Sequence, residues 1–108
     1  MHSTLIIARK AGPYEEEIAK LFGAFDETEM PERMGTLRRQ LFTFNDLYLH
    51  LQDFESEGAV AIDGARAHPL FQQISADMRP FVEAYDPDTW RSPADAIASR
   101  FYHWERGR

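Results

Sequence analysis

The chain has 108 residues, a formal net charge of −6 and no cysteine. This length predicts a single domain, residues 1–108, with one hydrophobic core. The acidic balance and the lack of a basic stripe argue against nucleic acid as a partner. The lack of cysteine excludes a disulfide framework, a thiol nucleophile and a zinc–thiolate site. Because the first apolar run, residues 5–8, is too short for a signal peptide or a membrane span, we expect a cytoplasmic protein with no membrane partner.

The first two elements predicted along the chain are a buried strand and an amphipathic helix. Residues 4–9 are apolar and β-branched, which favours a strand. A helix is expected after Gly12, with Pro13 in its first position and glutamates in its first turn, where acids complement the helix dipole. Its buried face is predicted from apolar residues at helical spacing: Ile18, Leu21, Phe22 and Phe25. Pro31 is expected to end this helix.

Residues 36–53, TLRRQLFTFNDLYLHLQD, are the most informative part of the chain. They predict two β-strands joined by a tight two-residue turn at Asn45 and Asp46. With that turn, the alternation of side chains collects an apolar set on one face of the hairpin. Its members are Phe42, Phe44, Leu47, Leu49 and Leu51. A shift of one residue in the turn would scatter this set.

The opposite face of the hairpin carries the candidate functional residues. The same turn pairs Thr43 with Tyr48, Leu41 with His50, and Arg39 with Gln52. Cross-strand neighbours lie about 5 Å apart and diagonal ones about 7–8 Å apart, so Arg39 and His50 can both reach one bound molecule. A ribbon that is apolar on one side and carries spaced ionisable groups on the other predicts the wall of a ligand cavity.

The second half of the chain predicts two helical segments. Gly58 and Gly64 bracket a short apolar stretch, which predicts a helical turn or two. A clearer helix begins at His68 and Pro69 and ends at Pro80. Its apolar face is formed by Leu70, Phe71, Ile74 and Met78.

A short strand is predicted at residues 81–85, and a turn follows at residues 86–88. Ser92 and Pro93 are typical of a helix start, as the cap and a first-turn residue. Residues 99–105 are compatible with either a helix or a strand.

This order of elements predicts an α+β protein with a ferredoxin-like βαββαβ pattern and a C-terminal extension. In such a fold the helices cover only one face of the sheet. We therefore expect the other face to pack against a second copy in a C2 dimer, which gives a dimeric α+β barrel.

Several short motifs are spread over nearly the whole chain. They are Asp26-x-Thr28-Glu29-Met30-Pro31, Gly35, Arg38-Arg39, Leu41-Phe42, Asp46-Leu47-Tyr48, His50-Leu51, Ala67-His68-Pro69-Leu70-Phe71, Phe101-Tyr102 and Trp104. In their order and spacing the chain resembles the tetracenomycin-type polyketide cyclases, small dimeric α+β-barrel proteins of bacterial aromatic polyketide pathways.

The resemblance implies a cofactor-free aldol-type closure and dehydration of a late ring on a polycyclic polyketide, giving a linear tetracyclic or an angular product. It also implies a homodimer that associates with other enzymes of such a pathway. In this family the positions of Asp26, Arg39 and His50 line the substrate cleft. The chain departs from the family at Phe25 and Asn45, where the tetracenomycin cyclase has His, so no acid–base role is implied there.

The chemistry of these side chains fits such a reaction. Arg39 is a permanent cation with several donors, which suits an enolate or phenolate oxygen. His50 titrates near neutrality and is expected to move a proton. Asp26 is expected to act as a base or to orient His50. Further substrate contacts are expected from Tyr48, Gln52, Thr43, Leu41, Phe25 and Glu29.

Each of these residues also has a purely structural interpretation. Arg39 is open to pairing with an acid such as Glu29, and His50 to simple solvation on a strand. Asp26 is suited to capping a helix end, and His68 is better explained as a cap than as a ligand-binding residue. No histidine has the short spacing of a metal site, so neither a metal nor a cofactor is expected.

Two other classes of function remain compatible with the sequence. The first is a cofactor-independent monooxygenase on the same barrel fold, which would insert oxygen from O₂ into a phenolic ring. The second is a non-catalytic binder that chaperones a polyketide intermediate between enzymes. Isotopic oxygen in the product distinguishes the first from a cyclase, and single-turnover assays distinguish the second.

Overall fold

Four antiparallel strands form one sheet in this structure, a computed structural model that describes residues 2–107. The strands are β1 (His2–Lys10), β2 (Thr36–Phe44), β3 (Leu47–Phe54) and β4 (Val82–Ala84). The α-helices are α1 (Glu15–Phe25), α2 (Met30–Met34), α3 (Gly58–Ala65) and α4 (Pro69–Met78), and a 3₁₀ helix spans Pro93–Ala96. The strand order β2-β3-β1-β4 is that of a ferredoxin-like sheet, which confirms the predicted fold class.

The hairpin of β2 and β3 has the predicted register. Arg39 is opposite Gln52, Leu41 is opposite His50, and Thr43 is opposite Tyr48. The turn at Asn45 and Asp46 follows from the left-handed backbone of Asn45, whose φ is 54°. Asparagine is one of the few residues that adopts this conformation readily, so the local sequence sets the register of the whole sheet face.

Two predictions about α1 are wrong. Pro13 is not the first helical residue, because Tyr14 is the N-cap and the helix begins at Glu15. Pro31 does not end α1 but lies in the first turn of α2, where its missing N–H is not needed. The end of α1 depends instead on Thr28, whose hydroxyl donates to the Phe25 carbonyl at 2.7 Å and accepts from the Met30 N–H at 3.1 Å.

The inner face of the sheet packs against the helices and forms the core. Large apolar groups such as Ile6, Phe54 and Ile62 are at most 3% exposed there. The outer face is different, because Phe42 and Phe44 on β2 are 51% and 67% exposed. The apolar face predicted for the hairpin is therefore the uncovered one, and the face with the polar groups faces the core.

The predicted elements of the second half are present. His68 caps α4, since its Nδ1 accepts a hydrogen bond from the Leu70 N–H at 3.1 Å. Ser92 begins the 3₁₀ helix in a capping box with Asp95. β4 lies within the predicted strand at residues 81–85.

The C-terminal extension is neither a helix nor a strand at residues 99–105, unlike either alternative that the sequence left open. Just before it, Ile97 forms an antiparallel bridge with Ile6, beyond the point where β4 leaves β1. The extension carries exposed aromatic side chains: Phe101, Tyr102 and Trp104 are 99%, 76% and 68% exposed.

Candidate active site

A cavity of about 500 Å³ lies between the inner face of the sheet and the helices. One wall comes from the hairpin and carries Arg39, Tyr48, His50 and Gln52. The other walls are largely apolar and come from α1, α3, α4 and the segment before the 3₁₀ helix: Phe22, Phe25, Ile62, Phe71, Ile74, Met78 and Trp90. A cavity of this size and lining is typical of a site for a mostly apolar small molecule.

Arg39 is the centre of the polar network on this wall. Its side chain is only 7% exposed, and its Nε and Nη2 atoms donate to the Asp26 carboxylate at distances of 2.7 to 3.0 Å. Its Nη1 donates to Gln52 Oε1 at 2.9 Å and lies 3.1 Å from His50 Nε2. The structural interpretation of Arg39 as one half of an ion pair is thus partly right, but the partner is Asp26 and not Glu29.

Two aromatic rings hold the guanidinium group of Arg39 in place. Its central carbon lies 4.9 Å from the ring centre of Phe22 and 5.5 Å from that of Phe25. Both distances are in the range of cation–π contacts, which favour the charged group without adding a hydrogen-bond acceptor. Phe25 therefore supports the arginine through its ring.

The hydrogen bonds of His50 fix its tautomer. An arginine cannot accept a hydrogen bond, so His50 Nε2 must be the acceptor in its contact with Arg39. The ring proton is then on Nδ1, which donates to the Tyr48 hydroxyl oxygen at 3.2 Å. Burial, with a smaller contribution from the charge of Arg39, lowers the pKa of His50 to about 3. His50 is therefore neutral at physiological pH, and the lone pair of its Nε2 accepts the hydrogen bond from Arg39.

Tyr48 completes the network from the floor of the cavity. Because its oxygen accepts from His50, its own O–H is directed elsewhere. Burial raises the pKa of the Tyr48 hydroxyl above its usual range, and the charge of Arg39 offsets only part of that effect. The phenol thus stays protonated and is available as a donor within the cavity that it lines.

The structure brings together most of the residues expected at the site. Arg39, His50, Tyr48, Gln52 and Phe25 all line the cavity. Asp26 lies behind this wall at the C-cap of α1, where its 39%-exposed carboxylate holds Arg39 and does not itself line the cavity.

The other expected substrate contacts lie outside the cavity. Leu41 packs beneath Tyr48 in a separate apolar cluster. Thr43 lies near the hairpin turn, where its hydroxyl donates to the Leu47 carbonyl at 3.3 Å. Glu29 is 57% exposed and pairs with Arg33 at 3.0 Å. Leu41 is directly opposite His50 but does not line the cavity, whereas Thr43 and Glu29 lie farther along their elements.

Sequence reasoning missed the far side of the cavity. Trp90 and three arginines, Arg66, Arg79 and Arg91, line it but were not singled out. A partial signal existed on α4, because Gln72, Ser75 and Arg79 follow one another at helical spacing beside the apolar face.

Within residues 2–107, no group of three or more His, Asp or Glu side chains is arranged to hold a metal ion. In the same part of the chain, no helix is long and apolar enough to cross a membrane.

The fold and the cavity define a small α+β protein whose site suits a mostly apolar ligand. Residues 2–105 match the family model of polyketide synthesis cyclases, and the chain belongs to that family. Among curated relatives, an uncharacterised Streptomyces coelicolor protein is 48% identical over 98% of this chain and 96% of its own length. The polyketide synthase CurG of Streptomyces cyaneus is 42% identical over 98% of this chain and 99% of its length.

The tetracenomycin F2 cyclase of Streptomyces glaucescens is 34% identical over 95% of this chain and 94% of its own length. Its solved structure, described as that of a type-II polyketide cyclase, superposes with a TM-score of 0.89 and covers 99% of this chain and 100% of that one. A putative antibiotic biosynthesis monooxygenase from Chloroflexus aurantiacus is 15% identical, with a TM-score of 0.56 over 76% of this chain and 81% of its own. At that identity the likeness extends to the fold alone.

Proposed function

We propose that this polyketide cyclase closes and dehydrates a late ring of a polycyclic aromatic polyketide by an intramolecular aldol reaction without a cofactor. The observation that carries the proposal is the 7%-exposed guanidinium group of Arg39, which lies at one wall of an otherwise largely apolar cavity of about 500 Å³. A buried cation of this kind stabilises negative charge that develops on a substrate oxygen, because few water molecules screen it.

The donors of Arg39 support this role. Arginine has five N–H groups, one on Nε and two on each Nη. The N–H of Nε, both of Nη1 and one of Nη2 are directed at Asp26, His50 and Gln52. One Nη2 donor is left for an enolate or phenolate oxygen, and the rest of the network holds that donor rigidly.

The geometry favours a different role for His50 from the one expected from the sequence. A neutral imidazole whose Nε2 accepts from Arg39 is poorly suited to take a proton from the substrate. We therefore assign His50 to positioning, since it accepts from Arg39 through Nε2 and donates from Nδ1 to the Tyr48 hydroxyl oxygen. Tyr48 is then the group that donates a hydrogen bond or a proton to the accepting carbonyl, and the proton lost by the carbon nucleophile passes to water, which restores the Tyr48 hydroxyl.

The reaction does not require a strong base in the protein. The carbon between two carbonyls of a poly-β-ketone is already acidic, and the carboxylate of Asp26 is occupied by Arg39. A rigid cavity that holds the carbon nucleophile near the carbonyl supplies much of the acceleration by proximity and orientation. The shape of the apolar walls then selects which ring is closed, in a linear or an angular product.

A homodimer is part of the proposal. The exposed Phe42 and Phe44 belong to an outer sheet face that also includes the partly buried Leu47, Leu49 and Leu51. Apolar patches of this kind on a small protein are typical of interfaces. A second copy that packs sheet to sheet would cover this patch, as in a dimeric α+β barrel.

The test is the ring pattern of products from a reconstituted pathway with and without the purified protein. We expect the cyclised product to form with the protein and to be replaced by shunt products without it, and an unchanged product pattern contradicts the proposal. The same reaction run under ¹⁸O₂ addresses a monooxygenase, which would place the isotope in the product. Turnover of Arg39→Gln at saturating substrate distinguishes a cyclase from a chaperone. A cyclase variant should lose turnover there, whereas a chaperone variant should change the yield only as far as its affinity for the ligand changes.

A further inference from the structure

The mouth of the cavity is rich in arginine although the chain is acidic. The chain has 12 Lys and Arg residues against 18 Asp and Glu residues. Among the residues that line the cavity, the exposed ones mark its opening to solvent: Arg66, Gln72, Arg79, Glu83 and Arg91. Three of these are arginines, so the entrance is positive in a protein whose overall charge repels anions.

Few acidic side chains in the described chain form ion pairs with these arginines. Within residues 2–107, Arg79 and Arg91 form no ion pair, and Arg66 has only a 3.9 Å contact with the exposed Asp63. Glu83, which is opposite Arg9 in the β1–β4 register, is the acid among these exposed lining residues, so with the three arginines it leaves a net charge of +2 at the opening. The three guanidinium groups are therefore not held in short ion pairs within residues 2–107.

The three arginines come from separate elements that border the same cavity. Arg66 is the C-cap of α3, Arg79 is the C-cap of α4, and Arg91 precedes the 3₁₀ helix. The backbone N–H groups of Arg91 and Ser92 have the largest effect in lowering the pKa of the Asp95 carboxylate, and the charges of Arg91 and Arg66 lower it further. Both of these guanidinium groups thus interact electrostatically with the same exposed carboxylate, which offsets part of their charge.

We propose that Arg66, Arg79 and Arg91 form an anion-binding subsite at the cavity mouth, which takes a carboxylate carried by the polycyclic ligand. This inference rests on the proposed function, since it assumes a polycyclic occupant of the cavity. The ligand enters with its apolar rings against Phe71, Met78 and Trp90 and leaves its carboxylate at the rim. The subsite fixes which end of the ligand reaches Arg39, because a reversed ligand would bury its charge among apolar side chains.

The test compares anthraquinone-2-carboxylate with its uncharged carboxamide. Trp90 lines the cavity, so quenching of its fluorescence reports binding in a Trp104→Phe background, which removes the other tryptophan. We expect the carboxylate to bind about tenfold more tightly than the amide, as three partly exposed charge contacts would give. This preference should weaken in each single Arg→Gln variant, decrease with salt and disappear in Arg66→Gln/Arg79→Gln/Arg91→Gln.

A matched control changes the net charge equally at exposed sites away from the rim, in Arg33→Gln/Arg100→Gln/Arg106→Gln. It should keep the tenfold preference, and circular dichroism establishes that both triple variants are folded. The inference is overturned if the parent protein binds the two probes equally or binds neither. It is also overturned if the preference for the carboxylate survives the rim substitutions. None of these results bears on ring closure, which the product assay tests separately.

Discussion

Arg39 Nη1 lies 3.1 Å from His50 Nε2, and this contact joins the permanent cation of the cavity to a histidine that stays neutral. The hairpin brings the two residues together, because Arg39 is opposite Gln52 and His50 is opposite Leu41. Arg39 and His50 are therefore diagonal neighbours on the same face of the sheet. Their contact also explains why the imidazole of the candidate active site is not a free base. Protonation would set a second positive charge against the guanidinium group in a buried environment.

The first prediction concerns the pH dependence of stability. The folded protein keeps His50 neutral down to about pH 3, whereas the unfolded chain binds a proton near the ordinary pKa of 6.5. Because the unfolded state then binds more protons, stability falls as the pH decreases below 6.5. Between pH 7 and pH 5 we expect this residue to account for a loss of about 2 kcal/mol in the free energy of unfolding.

Urea unfolding at the two pH values measures this loss. In His50→Gln, whose amide oxygen still accepts from Arg39, the pH dependence should be smaller by that amount. The control is His103→Gln, at an exposed histidine that pairs with Glu105. Equal pH dependence in the parent protein and in His50→Gln would mean that His50 titrates normally in the folded state.

The second prediction concerns the set of N–H donors on the Arg39 guanidinium group. Lysine keeps the charge but cannot hold the Asp26 carboxylate, His50 and Gln52 together. We expect Arg39→Lys to lower turnover by about 10²–10³-fold, as the loss of a positioned oxyanion donor does. The free energy of unfolding should fall by about 1–3 kcal/mol, because buried acceptors lose their donor.

Steady-state kinetics and urea unfolding check both parts, and Arg33→Lys is the control, at a surface arginine that pairs with Glu29. A folded Arg39→Lys variant with unchanged turnover would remove Arg39 from the chemistry and leave it as a structural cation.

The third prediction separates Tyr48 from the network that holds it. Tyr48→Phe keeps the ring and its packing but removes the proposed donor to the substrate carbonyl. We expect turnover to fall by about 10²-fold with little change in KM, as for the loss of a general acid. Stability should decrease by about 1 kcal/mol, since the Nδ1–H of His50 loses its acceptor. Tyr14→Phe is the control, at a ring that packs on Phe81, and equal turnover losses in the two variants would contradict a chemical role for Tyr48.

The hairpin could be predicted from the sequence because its geometry is local. The Asn45–Asp46 turn fixes the pairing, and alternation then assigns each side chain to a face without reference to the rest of the protein. What alternation does not decide is which face the helices cover. The more polar face is buried here, because Arg39, His50 and Gln52 satisfy one another and so reduce the cost of leaving water.

The far side of the cavity could not be predicted in the same way. It depends on how α4 packs against α1 and on where the segment with Trp90 returns to the sheet. These are long-range contacts, and the helical spacing on α4 does not show which elements will face it across the cavity. The roles of Asp26 and His50 were harder still to predict. The pairing of the Asp26 carboxylate with Arg39 and the tautomer of His50 both follow from distances within the folded network.

The fourth prediction concerns the exposed sheet face. If Phe42 and Phe44 lie in a homodimer interface, light scattering should give twice the 12.5 kDa mass of the chain. Phe42→Ser/Phe44→Ser should shift the protein towards the monomer, because burial of each aromatic side chain contributes about 2 kcal/mol or more to association. Val60→Ser, at an apolar residue that is 61% exposed on α3, should leave the mass unchanged. A parent protein that is monomeric at micromolar concentration contradicts the dimer.

The fifth prediction tests how α3 is seated on the sheet. Gly58 begins this helix against β1, and a Cβ added there would lie 2.0 Å from Thr4 Oγ1. We expect Gly58→Ala to lower the free energy of unfolding by about 1–3 kcal/mol, since Thr4 is buried and cannot move aside without repacking.

Gly64→Ala, in the same helix, meets no atom within 4 Å and should raise stability by up to about 1 kcal/mol through helix propensity. Thr4→Ala removes Oγ1 and Cγ2, which are two of the atoms nearest to the added Cβ. The loss caused by Gly58→Ala should therefore be smaller in a Thr4→Ala background than in the parent protein. Additive effects in this double-mutant cycle would show that the two residues do not compete for the same space, because coupling is the signature of a shared contact.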